Sequence, residues 1–276
     1  MIKLIVLDLD GTLLSDQKVL SDESVRAIKL AQEKGFLVTI ATGRAYELTK
    51  PYAERLNITM PLILDNGALI KDPVSKTILF RNTLEPDTIE YFVNYANDNQ
   101  LGYTFYAEDG FYIKDPERLD FYQKWNQEHP DSLIELHTEF NEESLKERPF
   151  YKMLLMIPDY QLMTKTYSMF KDNPKFHITK SLSEFFDVLP HHTTKGTALH
   201  FLMERYQLKP EQVLVFGDNT NDLEIFKTAM HSVAMPNATE DLKKVAKSIA
   251  LADNNNHGVA KTLEYFLTEN KLPQSE

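Results

Sequence analysis

Two carboxylates one residue apart close an apolar run near the start of the chain. Ile5 to Leu14 reads IVLDLDGTLL, with Asp8 and Asp10 followed at once by Gly-Thr. Taking a carboxylate out of water is costly unless a partner compensates it. Positions two apart in extended backbone face the same side, so both acids point one way. Three more polar signals stand at the end of an apolar strand or the start of a helix: Thr42-Gly43-Arg44, Lys195-Gly196, and GDNTND from Gly217 to Asp222. Asp218 adds a third carboxylate. Converging carboxylates repel one another, and a hard divalent cation with oxygen ligands resolves this, Mg²⁺ being the common case. With a cation and Lys195 present, the crevice becomes a site for a phosphate.

These residues need elements to hold them. Ile2 to Leu7 is nearly continuous in apolar residues, the pattern of a parallel strand covered on both faces. Ser21 is an N-cap candidate with Asp22 and Glu23 in the first turn. Val25, Ile28 and Ala31 make a helical stripe, and Gly35 sits where a C′ residue belongs. Phe36 to Ile40 is a second strand ending in Ala41 to Arg44. A helix containing Pro51 and a short strand, Leu62 to Leu64, follow. Alternating strands and helices imply an α/β sheet with right-handed crossovers, in which ligands bind beyond the carboxyl ends of the strands.

From Leu84 to Phe186 the chain turns aromatic. Alternation from Gly102 to Lys114 predicts a hairpin, and Tyr151 to Ile157 and Phe176 to Thr179 predict strands. Asp87 to Ala96 and Asp159 to Phe170 predict helices. The first rhythm returns after Thr194, with helices at Thr197 to Tyr206 and Asp222 to Lys227 and strands at Val213 to Gly217 and Ser232 to Met235. The expected architecture is a doubly wound, Rossmann-like parallel-sheet core, residues 1–83 and 187–276, with an inserted α/β domain at 84–186.

Composition narrows the function. The 276 residues are 42% apolar and 26% charged, the balance of a folded soluble protein. A formal charge of −11 argues against a general nucleic-acid surface and weakly against anionic membranes. No apolar run is long enough to span a bilayer, and Lys3, Asp8 and Asp10 interrupt any secretory h-region. With no cysteine there is no disulfide, thiolate metal site or cysteine nucleophile. A cytoplasmic protein is expected; no signal points to an oligomeric state.

DLDGTLL, ATGR, TTKGTAL and GDNTNDLEIF resemble, in order, the four motifs of the haloacid dehalogenase superfamily. The long segment between the second and third motifs resembles the Cof-type branch with a large α/β cap, as do NGA at Asn66 to Ala68 and GVA at Gly258 to Ala260. The resemblance covers essentially the whole chain. It implies Asp8 as the nucleophile that accepts a phosphoryl group and as a Mg²⁺ ligand. It implies Asp10 as general acid and base, binding the metal through its backbone carbonyl. Leu9, Thr42, Gly43 and Asn221 would hold phosphate, and Lys195 would neutralise charge on nucleophile and phosphoryl group. Asp218 would ligate the metal directly, with Asp222 supporting it. The inserted segment would close over the substrate.

The expected activity is Mg²⁺-dependent hydrolysis of small phosphomonoesters, sugar phosphates foremost, through a phosphoaspartyl intermediate. Alternatives are a phosphotransferase or phosphomutase on the same site, and a non-catalytic phosphate-binding regulatory module. Arg44 reads as a structural or peripheral contact, His191-His192 as solvated loop histidines, and His257 as an ordinary loop residue.

Overall fold

The computed structural model describes residues 1–180 and 184–273. The chain divides into two units, Met1–Leu79 with Thr194–Glu276, and Phe80–Thr193.

The first unit opens with β1 (Leu4–Leu7), α1 (Asp22–Glu33), β2 (Leu37–Ile40), α2 (Tyr46–Arg55), β3 (Leu62–Leu64) and β4 (Leu69–Lys71). A further strand, β5 (Ile78–Arg81), runs across the division. The unit resumes with α6 (Lys195–Arg205), β12 (Val213–Gly217), α7 (Leu223–Thr228), β13 (His231–Ala234), α8 (Glu240–Val245), β14 (Ser248–Ile249) and α9 (Gly258–Glu269). Its main sheet is parallel in the order β14-β13-β12-β1-β2. All four β1 residues are buried, as a central strand covered on both faces must be. Each such aliphatic side chain contributes about 1.5–3 kcal/mol by leaving water. Ser21 caps α1 by accepting from the Ser24 amide, and Ala27, Ile28 and Ala31 form its buried stripe. Pro51 lies inside α2. A parallel bridge between Ala41 and Ile63 carries the sheet's edge on to β3.

The inserted unit contains α3 (Pro86–Asp98), β6 (Tyr103–Ala107), β7 (Gly110–Ile113), α4 (Pro116–Glu128), β8 (Leu136–His137), β9 (Lys152–Met156), α5 (Tyr160–Phe170), β10 (Phe176–Lys180) and β11 (Phe185–Pro190). They form a six-stranded sheet, β10-β11-β9-β6-β7-β8, antiparallel except between β7 and β8. Its core is aromatic: Phe92 meets Phe170 and Phe176 edge-on, at 5.1 and 5.0 Å.

The divisions fall outside the expected 83/84 and 186/187, for reasons the contacts supply. β11 pairs with both β9 and β10, so the chain through Pro190 belongs to the inserted sheet. Asn82 donates to the His191 carbonyl and the Thr193 hydroxyl, which ties the preceding residues to the same unit. Among the described residues, no helix is long and apolar enough to cross a membrane.

Candidate active site

β1 and β12 are neighbours with Leu7 opposite Phe216, so Asp8 and Asp218 emerge side by side where the strands end. Lys195 enters from the first turn of α6, whose N-cap Thr194 and Thr197 exchange hydrogen bonds in a capping box. The buried ammonium lies 2.7 Å from Asp8 Oδ1 and 2.7 Å from Asp222 Oδ1. Asp222 is further fixed by the Asp218 and Asn219 amides, which donate to its Oδ2 at 3.0 and 3.2 Å. Burial would strip Lys195 of its proton, but the flanking Asp222 and Asp8 carboxylates outweigh it and hold the proton more firmly than usual. Asp8 is pushed up to about 6, chiefly by burial, with Lys195 opposing.

Asp218 has a different set of partners. Thr12 donates its hydroxyl at 2.8 Å. Burial, and then the Asp8 and Asp222 charges, push Asp218 up to about 9. Gly11 (φ +79°) makes room for it: a Cβ there would stand 2.3 Å from Asp218 Oδ2. Asp8, Asp218 and Asp222 each offer an oxygen within 4.8 Å of the others. An all-carboxylate set suits a hard divalent cation, and the raised Asp218 shows how poorly the protein alone neutralises it.

The Asp10 side chain is not part of that set. Arg44 grips it with two hydrogen bonds, Nε to Oδ2 and Nη2 to Oδ1, both 2.7 Å. Lys18 adds a 2.8 Å ion pair. Burial alone would raise Asp10; the Arg44 and Lys18 partners outweigh it and hold the carboxyl well below the usual range. Arg44 is thus a structural contact of Asp10. Its charge lies 5.2 Å from the Tyr52 ring centre, and the Tyr52 hydroxyl donates to the Lys18 carbonyl at 3.2 Å. Sequence offered one clue, the position of Arg44 beside Thr42-Gly43, and none for Lys18.

The expected phosphate-holding residues gather around a second loop. Thr42 is buried, and its hydroxyl accepts from the Arg44 amide at 3.2 Å. Asn221 donates through Nδ2 to Asn66 Oδ1 at 3.0 Å, and the Asn66 amide donates to the Thr42 carbonyl at 3.0 Å. Leu9 is buried, and its carbonyl accepts from Thr12, Leu13 and Leu14, which closes the turn after Asp8. Asn254 Nδ2 holds that turn from outside through the Leu14 carbonyl and Asp16. His257 instead lies 3.9 Å from Glu23, and the exposed His191 and His192 rings pack on each other.

A parallel sheet with a carboxylate-rich crevice at its strand ends, one lysine bridging two of the acids, makes this an α/β protein with a site fitted to a divalent cation. The family model for haloacid dehalogenase-like hydrolases matches residues 5–263. A 5-amino-6-(5-phospho-D-ribitylamino)uracil phosphatase of Bacillus subtilis is 30% identical, over 96% of this chain and 98% of that one. A putative phosphatase of Mycoplasma genitalium is 28% identical over 96% and 99%. Among solved structures, a haloacid dehalogenase-like hydrolase from B. subtilis superposes with a TM-score of 0.84 at 25% identity, covering 96% of this chain and 99% of that one. The chain belongs to the haloacid dehalogenase-like hydrolase family and is a hydrolase of the phosphatase type.

Proposed function

We propose that the protein hydrolyses small phosphomonoesters, sugar phosphates and phosphorylated polyols foremost, with Mg²⁺ and through a phosphoryl group carried on Asp8. The observation that carries this reading is the buried bridge from Lys195 to Asp8 and Asp222 beside the raised Asp218. A carboxylate nucleophile splits hydrolysis into two easier displacements. Positioning and charge neutralisation do most of the remaining work in phosphoryl transfer.

In the first displacement an Asp8 oxygen forms a bond to phosphorus while the ester oxygen departs with the proton of a protonated Asp10 carboxyl. In the second, water attacks the phosphorus, the Asp8–phosphorus bond breaks, and inorganic phosphate leaves. Lys195 stays protonated throughout and offsets charge on Asp8. Asp8, Asp218 and the Asp10 carbonyl would hold Mg²⁺, with Asp222 supporting it; the ion supplies the positive charge that the carboxylates lack. Asp10 paired with Arg44 is a base, suited to take the proton from water. To protonate a leaving oxygen it must first acquire a proton, which requires separation from Arg44 and Lys18.

The relative acting on a ribityl phosphate supports a polyol ester as the substrate class. The test is turnover of a panel of phosphorylated metabolites and of 4-nitrophenyl phosphate, before and after exhaustive chelation. Hydrolysis lost on chelation and restored by Mg²⁺ is expected. Full activity in verified metal-free protein would contradict the metal role. Phosphoryl transfer to an added sugar in place of water would establish a phosphotransferase, and absence of any turnover a binding module.

A further inference from the structure

Asn66 stands where three departures from ordinary backbone meet. Asp65, Asn66 and Gly67 have φ of +47°, +55° and +100° in succession, immediately after β3. Left-handed backbone strains most residues, asparagine least among those with a side chain. Runs of such residues persist only where surrounding structure enforces them, commonly at functional sites. Here the enforcing bonds go to the loop after β2: the Thr42 amide donates to the Ile63 carbonyl, the Asp65 amide to the Arg44 carbonyl, and the Asn66 amide to the Thr42 carbonyl.

The Asn66 carboxamide lies directly behind Gly43. A Cβ on Gly43 would stand 3.0 Å from Asn66 Oδ1 and 3.1 Å from Nδ2. The same Oδ1 accepts the Asn221 amide group at 3.0 Å. The carboxamide is buried, where a hydrogen-bonding group left without partners is costly. Asn66 thus joins Thr42-Gly43 to Asn221, which reach the site from strand ends far apart in sequence.

We propose that Asn66 is a positioning residue for phosphate, setting the Asn221 carboxamide and the Thr42-Gly43 loop at a fixed spacing so that they grip the phosphoryl oxygens together. This rests on the phosphatase reading. It assigns a role to the Asn-Gly pair that the catalytic steps leave unused, and it separates a phosphate-holding half of the site from the metal-holding carboxylates.

The test uses the full chain, 4-nitrophenyl phosphate as substrate and inorganic phosphate as competitive inhibitor. Asn66→Gly permits the left-handed backbone and removes the side chain with its carboxamide. Loss of one ordinary hydrogen bond predicts a rise of about three- to tenfold in the inhibition constant for phosphate. The Mg²⁺ concentration for half-activation should not change. Asn66→Asp, which keeps the acceptor but adds negative charge beside the phosphate, should raise the inhibition constant further and serves if Asn66→Gly folds poorly. Combining Asn66→Gly with Asn221→Ala should cost less than the two single losses multiplied, because the first acts in part through the second. An unchanged inhibition constant in the folded variants, with any effect confined to thermal stability, overturns the assignment. So do losses that multiply, or a shift in Mg²⁺ half-activation equal to that for phosphate. Absence of turnover in the parent protein would overturn the phosphatase reading and this inference with it; parent turnover with unaltered variants overturns the inference alone.

Discussion

In the inserted unit, buried Lys152 meets buried Asp187 at 3.4 Å and lies 4.3 Å from the centre of the Tyr106 ring. The pair itself is one cation to one anion, and beside it the Tyr122 hydroxyl shares a hydrogen bond with Tyr106 at 2.7 Å and accepts one from Arg118. In the α/β unit, Asp8, Asp10, Asp218 and Asp222 meet Lys195, Arg44 and Lys18, one positive charge too few. Among the described residues Asp218 has a hydroxyl partner and no ion pair. Balanced charge inside a fold reads as structure, because nothing further is needed to hold it there. An imbalance persists only if a ligand corrects it or the group stays protonated. The difference separates a packing device from a site without reference to any motif.

Substitutions can break this contrast, and the largest effect belongs to the nucleophile. Asp8→Asn should reduce turnover to background while the fold survives, since it removes negative charge from an overcharged crevice. Circular dichroism and thermal melting beside the kinetic assay check both halves of that statement.

Asp10→Asn comes next. General acid–base groups contribute about 10²–10⁴ in rate, and the loss should be greatest for alkyl phosphates and smallest for nitrophenyl esters, which leave without a proton. Arg44→Met lets Asp10 take up a proton more readily, so its loss should fall on the attack of water rather than on poor leaving groups, with no added loss in the Asp10→Asn background. Equal losses across leaving groups would remove Asp10 from proton transfer.

Asp187→Asn in the inserted unit should act on stability instead. Removing one partner of a buried pair costs about 3–5 kcal/mol, read as a shift in the denaturant midpoint. Chemistry at the carboxylate crevice should be retained in whatever protein remains folded. Removing both charges with Asp187→Asn and Lys152→Met should recover much of that loss; failure to recover would show that the pair is more than structural.

The smallest effect is a gain. In the unfolded chain Asp218 ionises near its ordinary value of 3.8, whereas in the fold it holds its proton up to about 9. Between those values the folded state binds more protons, so stability of the metal-free protein falls as pH rises. Asp218→Asn removes this dependence. It should raise the melting temperature at pH 8, by about 2–4 °C for each kcal/mol recovered, and do little at pH 4. Equal shifts at both pH values would mean that Asp218 is not strained by its neighbours.

Much of the site was legible because parallel sheets impose a simple geometry. Apolar runs covered on both faces mark the central strands, and polar residues just after them must meet at one edge; Asp8, Thr42 and Asp218 follow from that. Helices with clean stripes, α1, α3 and α5, were legible too. α4 was not, because only Tyr122 and Trp125 of its face are buried, too sparse for a periodic signal. β8 and β14 have two residues each, shorter than any pattern. The grip of Arg44 on Asp10 spans 34 positions and depends on where two loops come together, which spacing does not encode. Asn66 looked like a mark of family; its left-handed backbone and its bond to Asn221 emerge only when the strands are side by side.

The central claim is that Asp8 carries the phosphoryl group. Mass spectrometry of the peptide containing Asp8, taken from enzyme quenched during turnover, tests it most directly. The account predicts a base-labile mass increase of one phosphoryl group on the Asp8 peptide when Asp10→Asn is quenched during turnover of a nitrophenyl ester. The Asp8→Asn protein should show no such adduct. An Asp8 peptide that is never modified, together with continued hydrolysis by Asp8→Asn, would show direct attack by water and contradict the account.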